Sequence, residues 1–110
     1  MGRGAVIMAE IKLMTAFGTV PTGSQEGIRK VLHAAIDQIA LEEGTFKTAR
    51  AVFTESDEQC VFTVELDGIR KEPNPLLLDL EMLEDAVTDS GALSLLKEEL
   101  RGYFRRVLGK

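Results

Sequence analysis

A chain of 110 residues, 45% apolar and 28% charged, is long enough to bury a core as one domain and has the make-up of an ordinary globular protein. The one cysteine, Cys60, excludes an intrachain disulfide, no Cys/His cluster has the spacing of a zinc site, and both features suit a reducing, cytoplasmic compartment. The net charge of −5 divides into +1 over residues 1–54, −9 over 55–90 and +3 over 91–110, and so acidic a middle argues against nucleic acid as a partner, since phosphate binding rests on Lys and Arg.

No apolar run approaches the roughly 18 residues of a membrane span, and the apolar stretch before Glu10 is too short for a secretory signal. Residues 1–7 read as a disordered leader ahead of a single domain, with Met8 as an alternative start. The first element is a strand: Ile11, Leu13 and Phe17 fall on one side of "AEIKLMTAF" and Glu10 and Lys12 on the other. After a Gly/Pro loop, Ile28, Val31, Leu32, Ala35, Ile36 and Ile39 recur with the period of an amphipathic helix. Ser24 suits its N-cap and Gly44 its end.

Two strands follow, "TFKTARAVFT" and "QCVFTVEL", joined by the polar tetrad Glu55 to Glu58 as a hairpin. Pairing Thr54 with Gln59 puts Ala49, Ala51, Phe53, Cys60, Phe62, Val64 and Leu66 on one face, which is the core face. Asn74 as N-cap and Pro75 at the first helical position predict a second helix carrying Leu76, Leu80, Leu83 and Val87. A break at Asp89 to Gly91 precedes a last helix with Leu93, Leu96, Leu100 and Phe104. The expected fold is α+β, a small three-stranded sheet with helices on one face in the order β-α-β-β-α-α.

Candidate chemistry is sparse. "GTVPTGSQ" has the two glycines of a phosphate-binding loop but Ser24 and Gln25 where Lys and Ser/Thr belong, so it fails as a nucleotide motif. Free amides at such a strand-to-helix turn hold small anions without a motif, which makes Gly18, Thr22, Gly23, Ser24 and Arg29 the candidate ligand residues. The single histidine, His33, stands off the apolar stripe beside Asp37 and reads as a solvated pair. Cys60 has no neighbouring base in sequence and reads as a buried small hydrophobe. "DAVTDSGALSLL" lacks the oxygen ligands of a calcium loop, and no cofactor is implied.

The basic tail complements the acidic second helix inside the fold, or else Arg101 and Arg105, four apart, await a partner. On the outer sheet face, Val52 and Val61 face each other across the hairpin, and Met14 joins them if the first strand lies adjacent. Met14, Val52, Val61, Arg101 and Arg105 are therefore the candidate interface residues. The expected function is a non-enzymatic, homodimeric protein-interaction module. The alternative is a small anionic-ligand-binding domain or small enzyme with its site at the Gly18 to Ser24 turn.

Overall fold

Alternation of apolar and polar side chains places Ala49, Ala51 and Phe53 on the same side as Cys60, Phe62, Val64 and Leu66, and all seven are buried. They lie on β2 (Thr48–Ser56) and β3 (Gln59–Leu66), the central pair of a sheet completed by β1 (Glu10–Ala16) and β4 (Leu76–Asp79) in the order β1-β2-β3-β4. The computed structural model describes residues 10–18, 20, 22–43 and 46–109, excepting the Thr22 side chain. The expected leader over residues 1–7 and the expected terminator Gly44 lie outside them. β1 runs parallel to β2, and the other two pairings are antiparallel.

The fold is α+β, but the sheet has four strands rather than the expected three, and the order is β-α-β-β-β-α-α. The added strand is β4, taken from the segment expected to begin the second helix. Leucine favours helix intrinsically. Here tertiary pairing wins, because β3 would otherwise end the sheet: Leu76 sits opposite Phe62 and Leu78 opposite Cys60. Pro73 and Pro75 favour this outcome, since residues before proline are pushed towards extended backbone. Asn74 caps nothing and instead accepts a 3.0 Å hydrogen bond at its carbonyl from the Tyr103 hydroxyl.

The helix beyond is short, α2 (Leu80–Asp85), and starts at Asp79, whose carboxylate accepts from the Glu81 N–H. α1 (Thr22–Glu43) buries Ile28, Leu32, Ala35, Ile36 and Ile39, and α3 (Ser90–Val107) buries Leu96, Leu100, Tyr103, Phe104 and Val107. Both stripes join the inner sheet face in one core. Phe62 is its centre, with ring centroids at 4.3 Å from Phe53, 5.4 Å from Tyr103 and 6.1 Å from Phe104. Gly27 lets α1 approach the α2–α3 junction, where an added Cβ would lie 3.2 Å from a Val87 methyl.

The hairpin register differs from the expected one by two residues: Phe53 faces Phe62 and Ser56 faces Gln59. A two-residue shift keeps every side chain on its face, so the core set is unchanged. What sets the register is a tight turn at Asp57 and Glu58, with φ of 49° and 65°. Such turns need positive φ at both central residues and favour glycine at the second, whereas glutamate there is strained. Glu58→Gly should therefore raise the urea midpoint at constant m-value, by about 0.5–1 kcal/mol of stability.

A third left-handed residue, Asp67 (φ 54°), ties β3 to the start of β2. Its carboxylate accepts from the Lys47 N–H at 2.7 Å and the Thr48 N–H at 3.0 Å, and these donors, in that order, hold its pKa below the ordinary value. A depressed carboxylate stabilises the fold in full above its unfolded pKa, about 3.9, and this contribution disappears as pH falls through the lower folded value. Asp67→Asn should lower the thermal midpoint at pH 7, and the gap to wild type should narrow at pH 3.

Candidate functional site

The face of the sheet turned away from the core is the most distinctive surface. No helix covers it among the described residues, since the buried stripes of all three helices join the opposite face. Period-2 alternation places Lys12, Met14 and Ala16 of β1, Arg50, Val52 and Thr54 of β2, Val61, Thr63 and Glu65 of β3 and Leu77 of β4 on it. The strand registers sort these residues into rows across the sheet. Lys12, Arg50 and Glu65 form one; Met14, Val52 and Thr63 form the next; Ala16, Thr54, Val61 and Leu77 form the third.

Met14 does lie beside Val52, but Val52 and Val61 are diagonal neighbours rather than opposite, a consequence of the two-residue register shift. Met14 is 52% and Leu77 55% exposed, and the two valines between them are half-buried. An apolar band therefore crosses all four strands. Leu77 escaped the sequence reading because three consecutive leucines conceal the in-out alternation that β4 imposes. At one end of the face, Arg50, Val52, Thr63, Glu65, Glu72 and Pro73 line a groove of about 500 Å³. The Tyr103–Asn74 hydrogen bond anchors the segment forming its wall.

The turn before α1 is built differently from the expectation. The helix already begins at Thr22, so Ser24 lies within it rather than capping it. Phe17 and Val20 are buried, and the Gln25 side-chain amide donates to both of their carbonyls, at 2.8 and 2.6 Å. Gln25 was missed, because a side chain that donates to loop carbonyls leaves no spacing signal in the sequence. Gly23 and Ser24 are exposed beside a cleft that Glu84 also lines. That carboxylate opposes an anion at the same place. Gly18 and Arg29 are exposed on the loop and on the helix.

The chemistry-bearing side chains are dispersed. His33 Nδ1 lies 3.0 Å from Asp37 on an exposed stretch of α1. Cys60 is fully buried, and desolvation, followed by the Glu55 charge, pushes its thiol up to about 12, so it is neutral near pH 7 and sealed from substrate. Among the described residues no group of three or more His, Cys, Asp or Glu could hold a metal ion. No helix of the described residues is long and apolar enough to cross a membrane.

Arg101 and Arg105 do turn inward to acids, but not to those of α2. Arg101 donates to both carboxylate oxygens of Glu42, at 2.8 and 3.4 Å, and lies 3.9 Å from Glu98; Arg105 lies 3.9 Å from Glu43. The hydrogen bond from Arg101 is the main reason that the Glu42 pKa is lowered. The cause is helix placement: α1 packs against α3 and carries Glu42 and Glu43 in its last turn, whereas α2 spans only six residues. Arg106 lies 5.5 Å over the Tyr103 ring as a cation–π contact. No protein-family model matches the chain, and no curated protein matches it at a significant level.

If Arg101 and Arg105 serve α1 in this way, reversing both to glutamate sets them against Glu42 and Glu43. Thermal unfolding should then show a lower midpoint, and adding Glu42→Lys should recover part of the loss. The deficit should shrink in high salt, which screens exposed pairs.

Proposed function

We propose that this protein is a non-enzymatic, cytoplasmic protein-interaction module that docks a polypeptide surface on the open face of its sheet. The observation that carries the reading is the band from Met14 through Val52 and Val61 to Leu77, apolar and free of any helix among the described residues. A monomer gains nothing by leaving such a band in water, and exposed apolar patches with polar rims mark interaction sites. Lys12, Arg50, Glu65 and Thr63 supply that rim. The dispersion of His33, Cys60 and the carboxylates supports binding over catalysis, because catalytic groups must converge within hydrogen-bond reach of a common atom.

A photo-crosslinking phenylalanine analogue placed at Thr63, on the outer face, tests the reading against the same analogue at Ala34, exposed on α1. The intact chain should form polypeptide adducts from position 63 and few from position 34. Val52→Lys with Val61→Lys should remove those adducts without loss of the helical circular-dichroism signal. Equal yields from the two positions would overturn the proposal.

A further inference from the structure

Charges on the open face select one occupant. In the row Lys12, Arg50, Glu65, the last two are opposite each other on β2 and β3. Neither has an ion-pair partner within 4 Å among the described residues. A surface that carries an unpaired cation beside an unpaired anion, next to an apolar band, is complementary to itself once rotated by a half-turn. We infer that the occupant is a second copy of this chain, packed sheet to sheet about a two-fold axis that runs parallel to the strands over the gap between β2 and β3. The inference rests on the reading of this face as a docking surface.

The axis follows from the rows. Rotation about a line parallel to the strands folds each row onto itself in reverse, so β2 lies over the partner's β3 and β1 over its β4. Arg50 then meets Glu65 of the partner subunit twice over. Thr54 covers the partner's Val61, and Ala16, whose small side chain leaves space, covers the partner's Leu77. Moving the axis onto β2 would set Arg50 against itself, and moving it onto β3 would do the same to Glu65. An axis across the strands would not bring the two charges together at all.

The arrangement keeps strand directions nearly aligned, the usual geometry of stacked sheets at a spacing of about 10 Å. Arginine and glutamate side chains together span that gap. The face measures roughly 19 by 23 Å, from four strands and seven residues, so as a flat patch it covers about 870 Å² over the two copies, the size of a weak, reversible interface rather than of the roughly 1,200 Å² standard ones. The apolar band therefore needs the charge pairs to fix its register. Like charges placed there should dissociate the dimer.

Light scattering on gel-filtered protein at about 100 μM tests this, a concentration that populates weak complexes of the small-interface class. Wild type should be dimeric. Arg50→Glu leaves only acids in the pair and Glu65→Arg only bases, so each variant alone should associate at least tenfold more weakly. An equimolar mixture of the two should form a heterodimer, and the double variant Arg50→Glu/Glu65→Arg should dimerise with itself. The double variant also keeps opposite charges across the hairpin, which separates docking from folding defects.

A monomeric wild type, single variants that dimerise undiminished, or a mixture that fails to associate would each overturn the inference. Adducts from position 63 to a different polypeptide, with a monomeric wild type, would sink the second copy while leaving the docking face standing. A dimer indifferent to both Val52→Lys/Val61→Lys and Arg50→Glu forms elsewhere and overturns the inference, whereas equal crosslinking yields from positions 63 and 34 remove the docking face itself.

Discussion

The stacked pair of Phe53 and Phe62, with centroids 4.3 Å apart at the centre of the hairpin, is the contact around which the other elements are arranged. Phe62 faces Phe53 on one side and Leu76 on the other, so a single residue links three of the four strands. Tyr103 and Phe104 of α3 close over it, and Phe46, leading into β2, packs on Phe104. Aromatic pairs of this geometry contribute about 0.5–1.5 kcal/mol beyond their burial. Ala49 and Ala51 flank Phe53 on β2, and their small side chains let the helices come down onto the rings.

That arrangement makes the molecule two-sided. Both aromatic residues of the hairpin, Phe53 and Phe62, are spent on one face, and α1, α2 and α3 cover it. The other face has no helix to receive it among the described residues, yet it holds valines, a methionine and a leucine where a solvated sheet would carry mostly threonine and charge. The contrast between the buried Leu78 and the exposed Leu77, adjacent in one strand, shows the division most sharply.

Features governed by local periodicity were legible in the sequence. The stripe from Ile28 to Ile39, the seven inward residues of the hairpin and the burial of Cys60 all follow from periods of 3.6 or 2 and stand as expected. The pairing register was not legible, because shifts of two residues preserve every facing, and Asp57-Glu58 is not a dipeptide that announces a tight turn. β4 was hidden for a different reason: its four residues favour helix alone and become a strand only because β3 offers an unpaired edge. The partners of Arg101 and Arg105 lay beyond reach as well. Charge counts along the chain identify an acidic segment, but only the packing of α1 against α3 decides that Glu42 and Glu43 receive the arginines.

The sheet also has a built-in order of assembly. β2, β3 and β4 follow one another through short connections, so their pairings close small loops, whereas β1 pairs with β2 only across the whole of α1. Loop closure grows costlier with the length enclosed, and non-local pairings form late. β1 is thus the strand favoured to arrive last, and it brings Lys12, Met14 and Ala16, one flank of the open face. A chain still folding presents a narrower and incomplete apolar band, so the open face is complete only in the finished fold.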